Sequence, residues 1–316
     1  MRVMVTGGAG YVGSVVSRLL LDRGHEVAVL DSLEFGHAAA VDPRAALLAC
    51  DLKDADAASE AVFSVCPDAV VHMAAYALVG ESVEQPHRYF RNNVGGGINL
   101  LHAMWVSGCR RIVFSSSCAS YGEPLGRRLR EDMDCRPCSP YGMTKLQFEQ
   151  VLAWSPWVRS TSLRYFNACG AWDGLGEDHA VETHLIPNAC KAVLGQSGPL
   201  VVHGDGSQVR DYVHVRDIAA AHVLALEGDV AGVINLGSGA GHGVLEVVGA
   251  VSKAAGKDVP VEFGPVRPGD PDALVADTSL AKERLAWSPR IGLDECVASA
   301  LEWHRSHPGG YDEGRG

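Results

Sequence analysis

The chain has 316 residues, 47% of them hydrophobic and 21% charged, with a formal net charge of −11. Such a composition excludes an unfolded chain and leaves room for a sizeable core and one or two domains. With no basic stripe, nucleic acid and anionic membrane are excluded as partners, and no apolar run reaches the ~18–20 residues that span a bilayer. In chain order, Arg2–Thr6 reads as a short apolar strand followed by a glycine turn. A helix is expected over Ser14–Arg23, stopped by Gly24. His25–Leu30 is a buried strand ending at Asp31, and Leu47–Leu52 is a strand-like run ending in Asp51-Leu52. Ala69–His72 and Arg111–Ser115 are further strands. Helices are expected over Ala55–Val65, Tyr89–Ser107 and Tyr141–Trp154. Continuous Val/Ile/Leu strands alternating with helices predict an α/β fold, a Rossmann-type doubly wound parallel sheet.

Beyond about Arg164 the texture changes. Gly/Pro loops become frequent over Asn167–Thr183, Gly195–Pro199, Gly204–Val209 and Gly264–Asp272. The expected organisation is a dinucleotide-binding domain over 1–166 and a smaller α/β substrate region over 167–307. The two are interleaved, with the ligand cleft between them. Residues 308–316 lack periodicity and are expected to be a disordered tail. The N-terminus shows no basic n-region or small-residue cleavage site, so a cytoplasmic protein is expected.

The nine cysteines are odd in number and irregular in spacing, which predicts reduced thiols and no disulfide framework. Cys135-Arg136-Pro137-Cys138 has no second pair and no His at ligand spacing. It reads as two loop thiols, with a redox pair as the alternative, and no metal is expected.

Gly7, Gly10 and Gly13 stand between a strand and a helix. Backbone must turn sharply there, approach a pyrophosphate closely and present N–H groups at a helix N-terminus. Asp31 ends the following strand, where a carboxylate accepts hydrogen bonds from the adenosine ribose and repels a 2′-phosphate. Ser32, Leu33 and Glu34 follow it, with no arginine close by, so the cofactor is NAD and not NADP. By position Asp51-Leu52 suits adenine, though Asp at a strand end is also a common turn residue.

Tyr141 and Lys145 lie four residues apart on one expected helix, so they share a face. Free tyrosine, with a pKa of ~10, is a poor base at neutral pH. The lysine charge and that of an oxidised nicotinamide favour the phenolate. Ser117 offers a hydroxyl to the same substrate oxygen. The predicted step is proton removal by Tyr141 as hydride leaves a carbinol carbon for NAD.

These residues resemble the extended short-chain dehydrogenase/reductase superfamily and, within it, the UDP-glucose 4-epimerases. The likeness runs from about Met1 to Trp303. It includes Val79-Gly80-Glu81-Ser82, Asn92-Asn93-Val94, Phe114-Ser115-Ser116-Ser117, Tyr121-Gly122 and Leu163-Arg164-Tyr165-Phe166-Asn167. Further on it includes Arg210-Asp211-Tyr212-Val213-His214-Val215, Asn235-Leu236-Gly237-Ser238-Gly239 and Arg267-Pro268-Gly269-Asp270-Pro271. In that family NAD stays bound while C4 of the hexose is oxidised, the keto sugar swings, and hydride returns to the other face. The resemblance implies catalytic roles for Ser117, Tyr141 and Lys145. It implies cofactor contacts for Gly7, Gly10, Tyr11, Val12, Gly13, Asp31, Ser32, Asp51, Leu52, Met73, Ala74, Ala75, Asn92, Ser115, Tyr141, Lys145 and Tyr165. For a UDP-sugar it implies Ser117, Tyr141, Asn167, His184, Leu185, Val201, His203, Arg210, Tyr212, Arg267 and Asp270. Two arginines suit a diphosphate because each guanidinium bonds oxygens in a fork. A homodimer is expected by the same analogy.

The chain also departs from the family. Cys118-Ala119-Ser120 follows Ser117 where alanine, threonine and valine are usual, so Ala119 removes a hydroxyl. His184 replaces a frequent asparagine, and the segment between His203 and Arg210 is short. Leu274 stands where the family's tyrosine excludes N-acetylated sugars. Alternative readings are an epimerase of a UDP-N-acetylhexosamine, UDP-uronate or dTDP-sugar, and then a nucleotide-sugar dehydratase or decarboxylase. Cys118 and Ala119 occupy the places where those last two carry their acids. A non-catalytic NAD sensor and a dehydrogenase releasing NADH complete the set.

Overall fold

The first half alternates strand and helix. β1 (Arg2–Thr6), α1 (Tyr11–Asp22), β2 (Glu26–Asp31), β3 (Ala46–Ala49), α2 (Ala55–Val65) and β4 (Ala69–His72) come first. Two short helices, α3 (Val79–Glu84) and α4 (Pro86–Tyr89), lead through a π-helical stretch, Phe90–Gly95, into α5 (Gly96–Ser107). β5 (Arg111–Ser117), α6 (Pro140–Ala153) and β6 (Arg159–Tyr165) close this half. The second half holds β7 (Asn167–Cys169), α7 (Leu185–Leu194), β8 (Leu200–His203), β9 (Val209–His214), α8 (Val215–Glu227) and β10 (Gly232–Leu236). β11 (Gly241–Gly243), α9 (Val244–Ala255), β12 (Val261–Gly264), β13 (Ala273–Leu274), α10 (Ser279–Leu285) and α11 (Leu293–Ser306) follow. The structure is a computed structural model and describes residues 1–123, 128–266 and 272–312.

Seven strands form one sheet in the order β10-β6-β5-β4-β1-β2-β3. Every pairing in it is parallel. This is the doubly wound sheet expected from the buried apolar strands, which read as continuous runs because both faces are covered. On one face Val15, Val16 and Leu20 of α1 and Ile218, Val223 and Leu226 of α8 pack on Val3, Val5 and Val29. On the other, Val62, Leu100, Met104 and Phe148 pack on Met4, Val70, Ile112 and Phe114. The chain reverses its winding between β1 and β4. A crevice opens there at the carboxyl ends of the strands, which is where such sheets take ligands.

The region after Asn167 has its own core, with Ile186, Cys190, Val247, Val251, Val297 and Leu301 from α7, α9 and α11. β9 is the hub of a small sheet with β11 and β13, and it also pairs β7. β10 returns to the large sheet beside β6.

The expected elements shift in places. The strand expected over Leu47–Leu52 is β3, Ala46–Ala49, and β5 runs on to Ser117. The single helix expected over Tyr89–Ser107 is interrupted by the π stretch. There Asn93 turns inward: its Nδ2 donates to the Tyr76 carbonyl and to Thr144 Oγ1, 3.0 Å each, and its Oδ1 accepts from Tyr76 N–H at 2.8 Å. Of the tail expected over 308–316, residues 313–316 lie outside the described residues. Residues 310–312 form a 3-10 turn, and the Tyr311 hydroxyl sits 2.9 Å from Gly176 N–H as acceptor. All nine cysteines are free thiols. No helix among the described residues is long and apolar enough to cross a membrane.

Candidate active site

The glycine turn closes on itself. Gly7 N–H donates to the Leu30 carbonyl at 2.8 Å and Gly10 N–H to the Gly7 carbonyl at 3.2 Å. A Cβ on Gly13 would lie 2.1 Å from Gly7 O, and one on Gly7, at φ +72°, would lie 2.6 Å from Ala74 N. Only glycine lets α1 start this close to β1. Gly10 caps α1 without any side-chain hydrogen bond, so the helix offers its first N–H groups to an anion. Asp31, buried at the end of β2, accepts from Ala9 N–H at 3.0 Å and Leu33 N–H at 2.9 Å. Its carboxylate is thus held beside the turn. Met73 and Ala74 flank the other side, both anchored to Thr6 through backbone N–H groups. The turn, the uncapped helix end and the acidic strand end fit the pyrophosphate and ribose of NAD.

Other expected cofactor residues behave differently. Tyr11 points its hydroxyl at the Gly170 carbonyl, 2.5 Å away, and so bridges to the second region. Leu52 is buried among Met4, Leu30 and Val62 as core packing. Asp51 accepts from Lys53 N–H at 2.9 Å and pairs with its ammonium at 3.3 Å. Ser32 is exposed and caps its own turn, accepting from Glu34 N–H at 3.3 Å. Asn92 donates to Asn93 at 3.0 Å on the π stretch.

Ser117, Tyr141 and Lys145 come together at the carboxyl end of β5. Ser139 caps α6, its hydroxyl accepting from Gly142 N–H at 3.1 Å, and Pro140 pre-sets the first turn. Gly142 lets that turn press on the loop after β5, since a Cβ there would stand 2.4 Å from Ala119 O. The close approach puts the start of α6, with Tyr141, beside the Ser117 end of β5. Burial pushes the Tyr141 pKa up to about 12, against the downward pull of the Ser117 hydroxyl. Burial pushes Lys145 down to about 7, opposed by the Glu149 carboxylate. Lys145 does not touch the phenol. Its Nζ donates to the Ser115 carbonyl at 2.7 Å and stands 5.8 Å from the Tyr141 ring centre. The expected direct charge effect on Tyr141 therefore acts across a gap. The Ser115 hydroxyl hydrogen-bonds Tyr165, the last residue of β6.

Behind the triad lies a group the sequence reading passed over. Glu149, one turn past Lys145, is buried and accepts from Arg164 Nε at 2.9 Å, from a second Arg164 nitrogen, and from Ser116. The Arg164 guanidinium covers the Tyr121 ring at 4.6 Å, and the Tyr121 hydroxyl donates to Asn235 Oδ1 at 2.7 Å. The signal was present as an i, i+4 pair of ionisable residues on α6. Its buried partner sits on another strand, which spacing does not reveal.

On the second side, Asn167 Nδ2 donates to the Asp211 carbonyl at 3.1 Å. Arg210 follows on β9 and its Nη1 donates to the Val209 carbonyl at 2.7 Å. Asp211 itself is fully buried and gathers three backbone donors, Ser238, Gly239 and Ala276, at 2.6–3.0 Å. It fixes β9, the loop after β10 and β13 in one place. Tyr212 is buried in the second core. Leu274 pairs with Arg210 in register and packs with Tyr121, Leu129 and Phe166. His203 Nδ1 lies 3.0 Å from the Pro265 carbonyl, and Val201 is exposed on β8. Leu185 opens α7, and His184 before it is engaged with Glu177 and Glu182. Arg267 and Asp270 lie outside the described residues.

A doubly wound sheet with a glycine turn at its switch point, and a Ser, Tyr and Lys at the end of β5, defines a dinucleotide-dependent enzyme of the short-chain dehydrogenase/reductase type. Residues 3–237 match the NAD dependent epimerase/dehydratase family. The UDP-glucose 4-epimerase of Lactobacillus helveticus is 44% identical over 329 residues, spanning 99% of this chain and 100% of its own length. The crystal structure of UDP-glucose 4-epimerase from Brucella ovis in complex with NAD has a TM-score of 0.92 at 42% identity, covering 95% of this chain and 97% of that one. The Bifidobacterium longum enzyme in complex with NAD+ and UDP has a TM-score of 0.93 at 35% identity, covering 98% and 100%. The chain belongs to the NAD dependent epimerase/dehydratase family and, within it, to the UDP-glucose 4-epimerase family.

Proposed function

We infer that this chain is a NAD-dependent isomerase that epimerises a UDP-hexose at C4, interconverting UDP-glucose and UDP-galactose. The observation that carries the reading is the gathering of Ser117, Tyr141 and buried Lys145 at the carboxyl end of β5, the same end of the parallel sheet as the glycine turn. When bound, NAD supplies the acceptor for the C4 hydride and its return. Tyr141 takes the proton of the C4 hydroxyl and gives it back. Ser117 holds the same oxygen and lowers the barrier to ionising the phenol. Lys145, tied to the Ser115 carbonyl, would help hold the nicotinamide end of the cofactor. Arg210 would meet the diphosphate from β9, a strand that Asp211 anchors.

The cofactor part is proposed as residues 1–166 and the nucleotide-sugar part as 167–307, supported by the separate second core. A cytoplasmic homodimer is proposed as well. Val79 and Val83 on α3 and Ile98, Trp105 and Val106 on α5 are exposed apolar side chains suited to a partner subunit.

Product analysis by NMR tests the reading. Protein is incubated without added NAD with UDP-glucose, UDP-galactose or UDP-N-acetylglucosamine. A glucose/galactose mixture without net NADH is expected. A stable keto or dehydrated product would sink it. Leu274, smaller than tyrosine and packed against the cluster of Tyr121, Leu129 and Phe166, favours acceptance of the N-acetylated sugar as a second substrate.

A further inference from the structure

Between β7 and α7 the chain reads Glu177-Asp178-His179-Ala180-Val181-Glu182-Thr183-His184. The loop folds Glu177, His179, Glu182 and His184 onto one point. One ligand-type atom from each lies within 4.8 Å of all the others, and among the described residues no second group of His, Cys, Asp and Glu converges this way. His179 Nδ1 is 3.4 Å from Glu177 Oε1 and 3.4 Å from Glu182 Oε2. His184 Nδ1 is 2.7 Å from Glu177 Oε1 and 3.1 Å from Glu182 Oε1. The two glutamate side chains are only 6% and 5% exposed.

His179 Nδ1 and Glu182 Oε2 are buried and face each other at 3.4 Å, an ion-pair separation without hydrogen-bond geometry. That leaves room for a cation between them to bind both atoms more closely than they bind each other. Around a tetrahedral zinc with bonds of about 2.0–2.1 Å, adjacent ligand atoms stand roughly 3.3–3.4 Å apart. The two His179 separations already have that value. Two carboxylates balance a divalent charge, and two imidazoles favour zinc over calcium or magnesium, which take oxygen ligands in larger number.

We propose that Glu177, His179, Glu182 and His184 form a structural zinc site that fastens this loop to the start of α7. Four protein ligands close the coordination shell, so the ion holds structure and does no chemistry. Its position gives it a task. His184 is the N-cap residue of α7, directly before Leu185. Asp178, inside the loop, accepts from Tyr311 N–H at 3.0 Å and lies against His37, whose Nε2 is 3.1 Å from the Asp178 carbonyl. The metal would thus lock the connection between the cofactor side and the second region.

The test uses the full chain as purified. It is treated with a chelator, returned to metal-free buffer, and titrated with Zn2+ and with Co2+. One zinc per chain is expected by elemental analysis, with a rise in Tm on zinc addition. Co2+ should give intense tetrahedral d–d bands without a near-ultraviolet thiolate band. Glu182→Gln and His179→Ala should each weaken zinc binding by on the order of 100-fold or more. No stoichiometric uptake by the wild type overturns the proposal. So does uptake unchanged in both variants, or a thiolate band, which would put the metal on Cys135 and Cys138. Should the variants fail to fold, the wild-type cobalt spectrum decides alone. None of these readouts depends on turnover, so the site and the epimerase reading fail separately.

Discussion

Tyr141 and Lys145 show how burial sets the starting point of the chemistry. A phenol at about 12 and an amine at about 7 are both uncharged at pH 8. Neither is a strong base or a strong acid before ligands arrive. On the proposed reading, positive charge brought next to the phenol, on the cofactor or by protonating Lys145, would make Tyr141 competent. Tyr141→Phe keeps the ring and removes the proton acceptor. It should lower kcat by roughly 10²–10⁴-fold while UDP binding, measured by calorimetry, changes only a few-fold. Activity retained in this variant would transfer the base role elsewhere. Tyr141, Lys145 and Ser117 were readable from spacing and context. Asn93, Glu149 and Asp211 were not, because each acts through partners far away in the chain.

At the scale of elements, α6 carries the site, and three devices aim it. Ser139 and Pro140 start it, Gly142 lets it approach the loop at Ala119, and Glu149 clamps it to β5 and β6 through Ser116 and Arg164. The clamp is a buried ion pair, with both side chains 5% exposed. Replacing such a pair by apolar groups can be neutral, but breaking it strands a buried charge. Glu149→Gln keeps the shape and leaves Arg164 uncompensated. A loss of about 3–5 kcal/mol in unfolding free energy by denaturant titration is expected. A loss under ~1 kcal/mol would mean water or Cys135 replaces the carboxylate. The π stretch before α5 is a second such device. A helical period predicted one long helix, and the inward turn of Asn93 toward Tyr76 and Thr144 broke it.

At the scale of the whole molecule, two of the buried histidines lie in and against the parallel sheet, one on β4 and one on α8. His72 on β4 shares a 2.7 Å hydrogen bond with Thr6 on β1, and burial, with Lys145 nearby, takes its pKa down to about 3. His222 on α8 bonds the Ile218 carbonyl at 3.0 Å, and burial takes it down to about 4. Both folded values lie below the ordinary value of 6.5, so the unfolded chain binds these protons first as pH falls. Stability is full above about pH 6.5 and drops below it, each group contributing up to about 1.4 kcal/mol per pH unit. Urea midpoints measured from pH 7 to pH 5 should fall, and His222→Gln should flatten the slope. His179 and His184, raised despite burial by Glu177 and Glu182, oppose this trend, so an unchanged slope in His222→Gln, and not a flat midpoint, would contradict the assignment of a neutral buried imidazole.

The parallel sheet, the glycine turn and the Tyr–Lys pair follow from sequence alone, because each is a local pattern. Apolar runs of strand length, three glycines between strand and helix, and a spacing of four all act over a few residues. The acidic end of β2 belongs with them. What tertiary structure alone decided are the contacts between distant segments: Asp211 joining β9 to Ser238 and Ala276, Arg164 closing on Glu149, Tyr11 reaching Gly170. The convergence of Glu177, His179, Glu182 and His184 is of the same kind. Spacing places them on one loop, but only the path of that loop, pinned by His37 and Tyr311, turns all four toward one point.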